Sequence, residues 1–105
     1  MVPVENPRSR IPSEAELLGL IPTVDSVLAS TEPYTSKVLR AAKRLKVISR
    51  VGVGYNNIDL AEATRLGISV TWTPIPELAY AVAEHAFALM LALARRLPQA
   101  LELPL

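Results

Sequence analysis

Apolar and polar positions along this chain switch repeatedly between a period of two and a period near 3.6. Residues 24–30 alternate apolar and polar and read as a strand, as do the β-branched runs 46–50 and 68–72. Between them lie helical stripes. Ser13-Glu14-Ala15-Glu16 is a capping box that opens a helix closed by Pro22. Thr35 caps a helix reaching about Arg44, with Val38, Leu39, Ala42 and Leu45 on one stripe. Asp59-Leu60-Ala61-Glu62 is a second capping box, and Gly67 is a natural left-handed stop for the helix it opens. A long helix over 77–97 follows the Thr73-Pro74-Ile75-Pro76 turn, with Pro98 as its terminator and residues 99–105 as a frayed tail. The order helix, strand, helix, strand, helix, strand, helix predicts an α/β fold, a parallel sheet with helices on both faces. Val2 to Val4 reads as a remnant edge strand interrupted by Pro3.

The long helix is broader in its apolarity than one sheet face requires. At 100° per residue, Tyr80, Val82, Phe87, Leu89, Met90, Leu91, Leu93 and Leu97 spread over about 200°, where a single covering face needs somewhat over 100°. Each large apolar side chain left wet forgoes about 1.5–3 kcal/mol. Phe87, Leu89, Met90, Leu91, Leu93 and Leu97 are therefore expected at an interface, with a second domain or a second copy of the chain. Residues 86–94 are apolar throughout, but Glu84, His85, Arg95 and Arg96 bound them, so no membrane span is expected.

Composition narrows the partners. The chain has 105 residues, half of them hydrophobic, enough for one small core. Eleven basic against ten acidic residues give a net charge of +1, which makes no electrostatic case for nucleic acid. The sequence has no cysteine, so disulfides and thiolate metal sites are excluded, and no signal peptide is visible at residues 1–7; a cytoplasmic location fits.

The candidate chemistry lies in Arg50-Val51-Gly52-Val53-Gly54-Tyr55-Asn56-Asn57-Ile58-Asp59, where a strand hands over to a helix. The dinucleotide fingerprint fails there. Its third glycine position holds Asn57, and the acidic position about 20 residues on falls at Glu77, beyond the proline turn. The same backbone suits a smaller anion. The N–H groups of Val53 and Gly54 can form a carboxylate cradle, with Arg50 adding charge-assisted pairing. The competing reading is a tight turn that needs glycine for positive φ, with Arg50 solvated.

These residues carry a specific resemblance. Residues 45–59 resemble the first-domain signature of the D-2-hydroxyacid dehydrogenases, a group that includes phosphoglycerate dehydrogenase and glyoxylate/hydroxypyruvate reductase. Gly67-Ile68-Ser69-Val70-Thr71-Trp72-Thr73-Pro74 and Ala81-Val82-Ala83-Glu84-His85-Ala86-Phe87-Ala88-Leu89-Met90 continue it in order, so that it covers roughly residues 24–100. The resemblance implies a flavodoxin-like substrate-binding domain over residues 1–97, with 98–105 leading toward a nucleotide domain. It also implies a small 2-hydroxy or 2-oxo acid held by the backbone of Val53 and Gly54, and a long helix at a domain or dimer interface. The family's reaction is reversible hydride transfer between NAD or NADP and C2 of the acid. The family's first strand and its nucleotide domain, with the catalytic arginine, glutamate and histidine, have no counterpart in these residues. His85 lies inside the matched helix and reads as structural. The family's usual Asp after the Gly-Tyr pair is Asn56 here, and its usual Asn before Thr-Pro is Trp72.

The expectation is thus a substrate-domain fragment, inactive as an isolated chain, binding no cofactor or metal itself and forming a homo-oligomer, possibly by swapping. The alternative is a stand-alone α/β module that self-associates or binds a protein through helix 77–97. A complete small enzyme fits poorly, with one histidine and no nucleophile-plus-base pair by spacing.

Overall fold

The computed structural model describes residues 10–102, and the chain divides into two compact units between Pro74 and Ile75. The predicted strand at Val2 to Val4 lies outside the described residues. The first unit contains α1 (Glu14–Leu20), a 3₁₀ turn (Ile21–Thr23), β1 (Ser26–Ala29), α2 (Ser36–Ala41), β2 (Val47–Arg50), α3 (Leu60–Arg65) and β3 (Ser69–Trp72). The second contains α4 (Pro76–Ala94) and α5 (Leu97–Leu101).

The three strands are parallel in the order β1-β2-β3, with Ala29, Arg50 and Trp72 aligned across the sheet at its carboxyl end. Both crossovers run in the same direction across the sheet. Right-handed connections then place α2 and α3 on one face. Val38, Leu39, Ala63 and Ile68 meet Ala29 and Ile48 there in one buried cluster, to which α1 adds Leu17 and the 3₁₀ turn Ile21. The opposite face carries Ser26, Leu28, Ser49, Ser69 and Thr71, all exposed, with Leu28 76% accessible. Within this unit α2 and α3 cover that one face.

Local chemistry sets the element ends. The first capping box is complete: Glu16 N–H donates to Ser13 Oγ at 3.3 Å, and Ser13 N–H donates to Glu16 Oε2 at 2.8 Å. The second is half formed. Asp59 accepts from Glu62 N–H at 3.0 Å, but the Glu62 carboxylate turns away to accept from Arg40 and Arg65. The α3 helix ends in a Schellman motif, with Gly67 at φ 72°, Gly67 N–H on the Thr64 carbonyl and Ile68 N–H on the Ala63 carbonyl. Helix α2 stops at Ala41, a turn short of the Arg44 expected from its apolar stripe.

In the second unit the expected helix 77–97 is shorter and is followed by another. α4 ends at Ala94, Arg96 turns left-handed at φ 52°, and Pro98 sits in the first turn of α5 instead of terminating α4. Leu97 thus opens α5, and residues 97–101 are helical where a frayed tail was expected. No residue of α4 is buried; Phe87, Leu89, Met90, Leu91 and Leu93 are all exposed, Leu93 by 71%. By length and composition alone α4, at 19 residues, is apolar enough to cross a membrane, although Glu84 and His85 interrupt it near its middle.

Candidate functional site: a glycine loop at the carboxyl end of the sheet

Three loops gather where the parallel strands end, the usual location for a ligand in an open α/β sheet. They are residues 30–35 after β1, 51–59 after β2 and 73–74 after β3. The middle loop is tied to both neighbours. Tyr34 N–H donates to the Asn57 carbonyl at 2.8 Å and Asp59 N–H to the Tyr34 carbonyl at 3.0 Å, making a parallel bridge between Tyr34 and Ile58. On the other side Gly52 N–H donates to Thr73 Oγ1 at 2.9 Å, and Thr73 N–H returns a bond to the Gly52 carbonyl at 3.1 Å.

Asn57 is the clamp. Its Nδ2 donates to the carbonyls of Ser30 at 3.2 Å and Glu32 at 2.8 Å, and its Oδ1 accepts from Arg50 Nε at 3.3 Å. Read from the sequence, Asn57 was only the residue where a glycine fingerprint failed. The cue it did carry is that asparagine in a short loop habitually bonds backbone. Behind it, the buried Glu32 accepts from Ser30 N–H at 3.0 Å and from the Tyr34 hydroxyl at 3.0 Å. Burial, with Glu32 beside it, pushes the Tyr34 hydroxyl well above the ordinary phenol range.

Arg50 is 9% exposed, so it is not the solvated side chain of the tight-turn reading. Its guanidinium folds beneath its own loop, donating from Nε to Asn57 and from Nη1 to the Val51 carbonyl. Gly52, at φ 147°, makes room for it: a Cβ there would overlap the guanidinium, with Cζ only 2.8 Å away. Among the described residues Arg50 has no carboxylate partner, whereas Arg40, Arg44 and Arg65 each have one. Val53 and Gly54 follow directly, both exposed, and neither backbone N–H has a partner among the described residues. The positive φ of the turn reading is found at Gly52 and not at Gly54.

The three residues singled out from sequence therefore lie on one loop: a buried guanidinium at its root and two unpaired amides at its crest. Such a set can accept one small anion. The loop departs from the dinucleotide fingerprint at one position. The third glycine position, which that fingerprint uses for close helix–strand packing, holds the side chain of Asn57, engaged with three backbone and side-chain partners.

Comparison with known proteins places the chain in a family. Residues 4–102 match the family model described as D-isomer specific 2-hydroxyacid dehydrogenase, catalytic domain, and the chain belongs to that family. It is 46% identical over 89 residues to D-3-phosphoglycerate dehydrogenase of Synechocystis sp., covering 84% of this chain and 16% of that protein. It is 42% identical over 92 residues to glyoxylate reductase of Thermococcus litoralis, covering 87% of this chain and 28% of the relative. Among solved structures, the TT0316 protein from Thermus thermophilus superposes with a TM-score of 0.71 at 38% identity, over 83% of this chain and 28% of that one. D-lactate dehydrogenase from Aquifex aeolicus, complexed with NAD and lactic acid, does so with a TM-score of 0.68 at 30% identity, over 84% and 27%. The chain thus spans roughly a sixth to a quarter of the length of these relatives.

Proposed function

We propose that this chain is the carboxylate-binding part of an NAD- or NADP-dependent D-2-hydroxyacid dehydrogenase. In the parent enzyme, hydride passes between the nicotinamide and C2 of a 2-hydroxy or 2-oxo acid. The contribution of these residues is to hold the acid's carboxylate on the amides of Val53 and Gly54, with the Arg50 charge beneath. One observation carries this reading: a nine-tenths-buried arginine without a carboxylate partner among the described residues is followed, three and four residues on in the same loop, by two unpaired backbone N–H groups. A buried cation lacking a counter-ion is costly, and an anion arriving at the loop crest offsets that cost.

Turnover is assigned elsewhere. The unit that carries the loop holds no histidine, since the chain's one histidine is His85 on α4, and the loop departs from the dinucleotide fingerprint. The isolated chain therefore binds the acid weakly, binds no coenzyme and is inactive. Equilibrium dialysis tests this directly. Glyoxylate should be retained in the millimolar range, about 4 kcal/mol, as expected for one small anion, while NADH passes freely and is not oxidised. Retention of NADH, or turnover surviving purification to homogeneity, would overturn the assignment.

A second reading rests on α4. Its apolar side chains are exposed on all sides, which favours docking on another protein surface, either the parent's remaining residues or a second copy. Glu84 and His85 near the helix midpoint favour a protein partner over lipid. The lack of cysteine suits a cytoplasmic setting.

A further inference from the structure

Beside the anion cradle stands an aromatic pair that carboxylate binding does not use. The rings of Tyr55 and Trp72 lie 5.1 Å apart at 59°, a tilted contact within the range where aromatic pairs attract. Each is held by backbone that belongs to the cradle. Tyr55 directly follows Gly54. Trp72 ends β3 in register with Arg50, and its neighbour Thr73 is bonded twice to Gly52. Despite that contact the two residues stay 41% and 43% exposed, and neither the Tyr55 hydroxyl nor the Trp72 indole N–H has a partner among the described residues.

Charge at this end of the sheet is sparse. Across residues 30–35, 50–59 and 72–74 Arg50 is the one cation, set against Glu32 and Asp59. One anion is provided for, and a second negative group on the same ligand would find aromatic faces and carboxylates.

From this juxtaposition we infer that Tyr55 and Trp72 form a specificity wall selecting 2-oxo acids whose C2 substituent is apolar and planar, in preference to phosphorylated or unsubstituted ones. The inference rests on the carboxylate reading above. With the acid's charged end on the Val53 and Gly54 amides, a ring-bearing substituent gains contact area with the two side chains and completes a three-ring cluster. Glyoxylate has no substituent to offer, and a phosphoryl group must surrender hydration with no second cation in return.

The chain's single tryptophan makes this readable. Nitrogen-15-labelled protein would be titrated with phenylpyruvate, glyoxylate and 3-phosphoglycerate, following the Val53 and Gly54 amides and the Trp72 indole N–H. All three acids should move the amides. Phenylpyruvate alone should move the indole and should bind about five- to tenfold more tightly than glyoxylate, the range expected for one added aromatic contact. Trp72→Asn and, independently, Tyr55→Leu should bring phenylpyruvate and glyoxylate to the same affinity. Equal affinities in the unaltered chain, a silent indole while the amides shift, or tighter binding of 3-phosphoglycerate would each overturn the wall and leave the cradle standing. Amides silent toward all three acids would overturn both.

Discussion

The guanidinium of Arg50 occupies the space that a Cβ on residue 52 would take, so the charge and the glycine are one device. Gly52 and Gly54 are consequently not equivalent, although they look alike in sequence. Gly52→Ala places a Cβ against the guanidinium at φ 147° and should cost about 1–3 kcal/mol in urea denaturation, with anion binding lost. Gly54→Ala meets nothing closer than Asn56 Oδ1 at 3.5 Å and should change stability by less than about 0.5 kcal/mol. It should still weaken the acid, because the new methyl crowds the amide. Equal losses of stability would contradict the distinction.

Asn57 joins three segments through one side chain. Asn57→Ala leaves two carbonyls and the Arg50 Nε without their partner and should destabilise the first unit by roughly 1–3 kcal/mol. Amide hydrogen exchange checks the mechanism: protection at Tyr34 and Asp59 should fall before that of β2, since their bonds depend on the loop being held. A uniform loss across the sheet would point to global destabilisation instead.

Stability should respond to acid through Glu62. Hydrogen bonds from Arg65 first, then Arg40, hold its carboxyl at about 2, below its ordinary 4.5. A lowered folded-state value means that the ionised group stabilises fully above pH 4.5 and that this contribution is lost as pH falls toward about 2. Urea midpoints should fall across that window, and Glu62→Gln should flatten the dependence. Tyr34 acts at the other end. Its raised value means that the neutral hydroxyl's contribution is intact below the ordinary phenol range and is lost progressively as pH rises above it. Tyr34→Phe should remove that alkaline slope.

The exposed side chains of α4 predict concentration-dependent association of the isolated chain by light scattering. Leu89→Asp together with Leu93→Asp should give a monomer with the sheet's amide signals unchanged, because neither side chain is buried in the structure. Loss of the sheet signals would mean that α4 is part of the core.

Much of the fold was legible because its determinants are local. The Ser13/Glu16 box and the Gly67 stop act within five residues of themselves, and both formed as read. What was not legible depends on distant partners. The Asp59/Glu62 spacing also promised a full box, but Arg40, from another helix, claims the Glu62 carboxylate, and the Tyr34 carbonyl takes the Asp59 N–H. Pro98 could have stopped α4 or opened α5; the left-handed turn at Arg96 decided for the second. At the site, spacing located Arg50, Val53 and Gly54 on one loop. It could not reveal that the arginine lies beneath Gly52, nor that Asn57 holds the loop, since both need the neighbouring strands in place.

The central claim is that the crest of this loop receives a carboxylate. The most direct test is a titration of nitrogen-15-labelled chain with glyoxylate, watching every backbone amide at constant pH and ionic strength. Saturable shifts concentrated at Val53 and Gly54, abolished in Arg50→Met with the fold retained, are the predicted result. Shifts scattered over the surface, or unchanged by loss of the Arg50 charge, would contradict it.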